Sequence, residues 1–144
     1  MKKILICSLI CFCCLITAHA QKEDLVKYVN PLMGTQSKPE LSNGNTYPAI
    51  STPWAMNMWT PQTGENGNGW QYQYTAEKIR GFKQTHQPSP WMNDYGVFSI
   101  MPVAGKAVFK ESDRVSWFSH KAETVSPDYY KVYLADHHIT TEIT

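Results

Sequence analysis

An all-β fold, a β-sandwich with long aromatic-rich loops, is the class this sequence predicts, and three observations carry it. Runs alternating apolar with polar residues, rich in β-branched and aromatic types, recur through the second half of the chain. Gly, Pro and Asn interrupt the first half too often for long helices. Only Lys22 to Val29 offers a short helix.

The elements follow in order. From Asn30 to Pro90 the chain reads as loop-heavy, with turn signals at Asn43-Gly44-Asn45, across Gly64 to Gly69, and at Pro88-Ser89-Pro90. Trp54, Trp59, Trp70, Tyr72 and Tyr74 lie between them, and long ordered loops carrying aromatics are unusual unless they line a site. Val97 to Val103 alternates as a strand, Gly105 turns it, and Ala107-Val108-Phe109 forms the next. Val115 to His120 and Tyr129 to Leu134 are further strands, Ala135 to His138 is a turn, and Ile139 to Ile143 resumes the alternation. That last run has no terminating turn, so the sandwich is expected to be incomplete at the C-terminus, with an open edge.

Residues 1–20 read as an export signal rather than as part of the fold. Lys2 and Lys3 precede an apolar run from Ile4 to Ile16, and Ala18-His19-Ala20 supplies the small-x-small cleavage pattern. The run is shorter than the roughly 20 apolar residues of a membrane span. The domain proper is then 21–144, delivered to the periplasm or the exterior. All four cysteines, Cys7, Cys11, Cys13 and Cys14, fall within the signal, so the remainder has neither disulfide nor thiolate metal site. A lipoprotein is the rival reading. It ranks second because Ile6, Ile10, Phe12 and Cys13 stand where a small residue is usual before the acylated cysteine.

Composition and motifs exclude several functions. Losing Lys2 and Lys3 takes the formal charge from +1 to −1, and no basic cluster remains for nucleic acid or an anionic membrane surface. Gly64 and Gly69 have phosphate-loop spacing, but Trp70-Gln71 occupies the place of the Lys-Ser/Thr that would meet the phosphates. His86, His120, His137 and His138 show no close zinc-ligand spacing, and His137 and His138 read as turn or surface residues. No Gly-x-Ser-x-Gly elbow is present. Glu111 and Asp113 lie in a polar, solvated turn.

One segment is specific. Gly81-Phe82-Lys83-Gln84-Thr85-His86-Gln87-Pro88-Ser89-Pro90-Trp91-Met92-Asn93-Asp94-Tyr95-Gly96 resembles a signature of the N-terminal domain of glycoside hydrolase family 92, the α-mannosidases. The resemblance extends, in order, through Val29-Asn30-Pro31-Leu32-Met33-Gly34-Thr35, Tyr47-Pro48-Ala49, Pro53-Trp54-Ala55-Met56 and Gly69-Trp70-Gln71-Tyr72. It continues in Met101-Pro102-Val103, Ser119-His120-Lys121-Ala122-Glu123 and Pro127-Asp128-Tyr129-Tyr130. The family pairs an N-terminal β-sandwich with a C-terminal helical (α/α)6 barrel, requires calcium and inverts the anomeric centre. Inversion uses an acid and a base carboxylate about 6.5–9.5 Å apart. In this family both carboxylates and the calcium belong mainly to the barrel. The resemblance therefore implies no catalytic residue and no metal ligand in this chain, and makes the missing (α/α)6 domain its partner.

What the resemblance implies here is one wall of a pocket for a mannose-containing glycan. Trp91 can lay its ring on the C–H face of a pyranose. Asp94 offers acceptors to sugar hydroxyls, and His86 and Gln87 offer both donors and acceptors. Trp70 and Tyr72 complete the set. Each has a plainer alternative, a core tryptophan or an Asp capping its own turn. Trp54 and Trp117 are assigned to the core, with Phe82, Tyr129 and Tyr130. The leading expectation is a fragment of an exo-α-mannosidase, inactive alone. The alternatives are a stand-alone carbohydrate-binding β-module and a cell-envelope domain acting through its open strand edge.

Overall fold

The computed structural model describes residues 23–36, 38, 40, 46–52, 57–64, 72–85 and 98–144. A 3₁₀ helix, Leu25–Tyr28, opens them, capped by the Asp24 carboxylate accepting from the Val26 N–H at 3.0 Å. It fills part of the helix expected over Lys22 to Val29. Eight strands follow: β1 Met58–Gln62, β2 Lys78–Ile79, β3 Gly81–Thr85, β4 Ser99–Ile100, β5 Ser116–Trp117, β6 Glu123–Ser126, β7 Tyr129–Leu134 and β8 Ile139–Ile143. One short helix, α1 (Glu111–Arg114), precedes β5.

All strand pairs are antiparallel and fall into three sheets, ordered β1-β3-β4, β2-β5 and β6-β7-β8. The all-β class read from the sequence holds. Strand β7 shows why: Tyr130, Val132 and Leu134 are wholly buried on one face, while Lys131 and Tyr133 point away. Ile50, Ile79, Phe82, Tyr130, Val132 and Leu134 form a core fed from all three sheets, with Trp59, Met101, Phe118 and Ile143 packed against it. The Phe82 and Tyr130 rings, 6.2 Å apart and tilted at 59°, join the first sheet to the third.

Several expectations are corrected. The stretch assigned to loop contains β1, β2 and β3, which bury polar residues, Thr60, Gln62, Lys83 and Thr85, beside the apolar Ile79 and Phe82. Burial is sustained by hydrogen bonds, from Gln62 Nε2 to the nearby Gly64 carbonyl at 2.9 Å and between Thr85 Oγ1 and the distant Tyr47 hydroxyl at 3.0 Å. Pro61 is tolerated in β1 because, opposite β3, that strand meets only an isolated bridge between Trp59 and Ile50. Ala107 to Phe109 forms no strand, and Phe109 is 91% exposed. The strand expected from Val97 to Val103 is reduced to β4, and that from Val115 to His120 to β5. Glu111 lies in α1 rather than a turn, 4.0 Å from the Arg80 guanidinium.

Trp117 is not a core residue. It is 46% exposed with the Lys78 ammonium 4.6 Å above its ring. Its neighbour Ser116 takes the inward position instead, its hydroxyl accepting from the Asp136 N–H at 3.0 Å. His137 lies in the expected turn and is buried there, with Nε2 2.8 Å from the Arg114 carbonyl. His138 stays exposed and takes a left-handed backbone, φ 54°, in the turn before β8.

Gly81 is required by close approach, since a Cβ there would collide with Ser99 Oγ and press on the Ile100 carbonyl of β4. Gly81→Ala is expected to lower the unfolding free energy by about 1–3 kcal/mol, the usual range for overpacking. Urea denaturation measures it, and an unchanged midpoint would show that β4 yields freely.

Candidate functional site

Five of the six sequence-predicted pocket residues, Trp91, Asp94, His86, Gln87 and Trp70, lie outside the described residues. The roots of their segments are described. Strands β3 and β4 pair antiparallel, Phe82 with Ile100 and Lys83 with Ser99, and the Gln84 N–H donates to the Phe98 carbonyl at 3.1 Å. The connection 86–97, which carries His86, Gln87, Trp91 and Asp94, therefore starts and finishes at one end of that sheet. Thr85, its root, is buried and bonded to Tyr47.

The segment carrying Trp70 is rooted elsewhere. It runs from Gly64, just beyond β1, to Tyr72, and the Gln73 N–H donates to Thr63 Oγ1 at 2.9 Å across its base. In the β1–β3 register Gln62 faces Gly81, while Met58 faces Thr85. The two connections thus leave from opposite ends of a five-residue strand pair, roughly 14 Å apart at about 3.4 Å per residue. The structure brings the roots of the 86–97 residues together and holds the Trp70–Tyr72 root away from them.

Tyr72 is the one pocket candidate among the described residues, and it is 2% exposed. Its hydroxyl donates to the Glu123 carboxylate, 2.9 Å from Oε1 and 3.1 Å from Oε2. The Tyr130 hydroxyl donates to the same Oε1 at 2.7 Å, and His120 Nδ1 lies 2.6 Å from Oε2. The Glu123 side chain is 1% exposed, so its charge is held by these three partners in place of water. Burial first, and then the Glu123 charge, push both tyrosine hydroxyls far above the usual tyrosine range. Both remain protonated, and both act as donors.

The local sequence builds this arrangement. Ser119 Oγ accepts from the Lys121 N–H and caps a 3₁₀ helix, His120–Ala122, which closes with the Glu123 N–H donating to the His120 carbonyl. That tight turn brings the side chains at i and i+3 together, so the His120 ring meets Glu123 at the start of β6. Its Nε2 lies 2.7 Å from the Tyr74 carbonyl, its face stacks on the Tyr74 ring at 3.9 Å, and Phe118 meets it edge-on at 5.0 Å. Both ring nitrogens face acceptors. Satisfying both takes a proton on each nitrogen, or one on Nε2 and one on the carboxyl.

Sequence reasoning placed Tyr130 in the core and gave His120 and Glu123 no role. The signal available was a His and a Glu three residues apart after a capping serine. Chemically the cluster is a brace. Its carboxylate is fully committed to Tyr72, Tyr130 and His120, which leaves no lone pair directed at a substrate. Among the described residues no three His, Cys, Asp or Glu side chains converge as a metal site. Among the described residues no helix is long and apolar enough to cross a membrane.

The antiparallel all-β fold and the order of the motifs along it define the N-terminal β-domain of a glycoside hydrolase. Over residues 28–144 the chain matches the glycosyl hydrolase family 92 N-terminal domain, and it belongs to that family. It is similar to the inverting mannosidase BT2199 from Bacteroides thetaiotaomicron VPI-5482, with 52% identity, a TM-score of 0.74, and coverage of 84% of this chain and 17% of that one. It is also similar to the α-mannosidase BT3965 from Bacteroides thetaiotaomicron, at 32% identity and TM-score 0.70, covering 85% of this chain and 17% of that one. The same enzyme in complex with mannoimidazole matches at 30% identity and TM-score 0.69, with the same coverage. The chain thus spans about a sixth of the length of these relatives. No curated protein matches it.

Proposed function

We propose that this chain is part of the N-terminal β-sandwich domain of an exported, calcium-dependent, inverting exo-α-mannosidase, contributing one wall of its mannose pocket. The observation that carries the reading is the 52% identity to an inverting mannosidase over 84% of this chain. The mannoimidazole complex of a second relative supports a mannose-containing glycan as ligand. In this reading residues 1–20 direct export to the periplasm or beyond, and 21–144 form the domain. Trp91, Asp94, His86 and Gln87 face the sugar from the 86–97 connection. Trp70 meets the glycan from the separate 65–71 connection, whose base at Tyr72 is bonded to Glu123.

The acid, the base and the calcium belong to the helical (α/α)6 domain, the partner this chain packs against. Alone, the chain is inactive. With an aryl α-mannoside or mannobiose and millimolar calcium, it is expected to show no turnover above buffer. Calcium-dependent hydrolysis by the purified chain would overturn the assignment of the chemistry to the partner domain.

A further inference from the structure

Strands β2 and β5 pair Lys78 with Trp117, and the Phe118 N–H donates to the Glu77 carbonyl at 3.1 Å, so Glu77, Lys78 and Trp117 are neighbours. Beside them lies a cleft of about 420 Å³, lined by Thr63, Glu77, Lys78, Arg80, Ser112 and Trp117. That volume falls in the roughly 300–1,000 Å³ range of small-molecule sites. None of these residues belongs to the last strand or adjoins an end of the chain. The walls are anchored. The Trp117 N–H donates to Asp136 Oδ2 at 2.9 Å, and its carbonyl accepts from the Ala135 N–H at 2.9 Å. The Lys78 ammonium, 4.6 Å from the ring centroid, steadies the half-exposed indole. Arg80 Nε donates to the Thr63 carbonyl at 3.3 Å, and its guanidinium lies 4.0 Å from Glu111.

We propose that this cleft is a binding site for a neutral glycan, seating one hexopyranose on the Trp117 ring. Lys78 and Arg80 are balanced by Glu77 and by Glu111 beside the cleft, so no excess charge draws in a phosphate or another anion. An aromatic ring flanked by charged groups and hydroxyls is the chemistry that holds an uncharged sugar. The C–H face of the pyranose lies on the indole, and its hydroxyls meet Glu77 as acceptor and Lys78 as donor. The choice of a mannose glycan as its occupant rests on the function proposed above. The Arg80 N–H donates to the Gln62 carbonyl at 2.8 Å, and Gln62 faces Gly81. The cleft therefore lies at the end of the β1–β3 ladder opposite the Thr85 root of the 86–97 connection. A long glycan held at Trp117 is kept beside the domain by a second point of attachment, which raises its effective concentration. One engaged ring places Kd on the order of 1 mM.

The test is a titration of the isotope-labelled full chain with mannobiose, followed through the indole N–H resonances, beside Trp117→Ala and Trp91→Ala. The Trp117 resonance is expected to shift saturably. Trp117→Ala is expected to weaken binding about tenfold or more, and Trp91→Ala to leave the Trp117 shift and its Kd as they were. The Trp117 side chain is half-exposed, and it is the backbone that pairs with β2, so its removal spares the core. Glu77→Ala, at an exposed position, reads the same site without touching the tryptophan and is expected to weaken binding about threefold. A Trp117 resonance that stays fixed up to roughly 50 mM mannobiose, far above the expected Kd, overturns the proposal. Binding that survives Trp117→Ala and is lost in Trp91→Ala also overturns it, while leaving the pocket wall on 86–97 supported.

Discussion

Glu123→Ala is expected to lower the unfolding free energy by about 3–5 kcal/mol, the cost usually seen when one partner is removed from a buried charged group. Three groups would lose their hydrogen-bond partner at once: the Tyr72 hydroxyl, the Tyr130 hydroxyl and His120 Nδ1. Tyr72 is 2% exposed and Tyr130 wholly buried, so water does not replace the carboxylate without opening the core. The loss would spread across the fold. Tyr130 belongs to β7 and packs on Phe82 of β3, and His120 is bonded to the Tyr74 backbone. Tyr72→Phe removes one donor and leaves the carboxylate two, so its expected cost is nearer 1 kcal/mol. Urea denaturation at pH 7 measures both. A Glu123→Ala loss below 1 kcal/mol would mean the brace contributes little.

Alkaline pH should unfold this chain steeply. Tyr72 and Tyr130 are held protonated in the folded state by burial and by the Glu123 carboxylate. The unfolded chain releases the same protons near the ordinary tyrosine value of about 10. With the folded values raised, the stabilisation is fully present below pH ~10 and falls as pH rises beyond it. Each tyrosine contributes a slope of about 1.4 kcal/mol per pH unit, and the two together about 2.7. Denaturant unfolding between pH 9.5 and 11.5 measures the slope. Tyr72→Phe should roughly halve it, and an unchanged slope in that variant would exclude Tyr72 as a source.

How much of this was legible in the sequence depends on what each strand buries. Strands β7 and β8 have the bounds their alternation gives, because one face packs on an apolar core and the pattern is period two. Strands β1 and β3 were hidden because they bury Thr60, Gln62, Lys83 and Thr85. The Thr85 hydroxyl is satisfied by Tyr47, a bond that only the assembled fold provides. Trp117 misled through size. In a two-residue strand the phase is set by which residue bonds to its neighbours, and the Asp136 contacts turn Ser116 inward.

The pocket was legible only as a resemblance. Trp91, Asp94, His86, Gln87 and Trp70 fall outside the described residues. Tyr72 is described, and its partner is a carboxylate 51 positions away, a long-range pairing that periodicity does not encode.

The opposed roots of the two long connections have a consequence for how the domain varies. Residues inserted or deleted between Thr85 and Phe98 alter a span whose ends are pinned by β3 and β4, and the base near Thr63 and Gln73 is untouched. The converse also holds, because the β1–β3 ladder stands between them as a fixed spacer. Each span can therefore change length and chemistry without disturbing the base of the other.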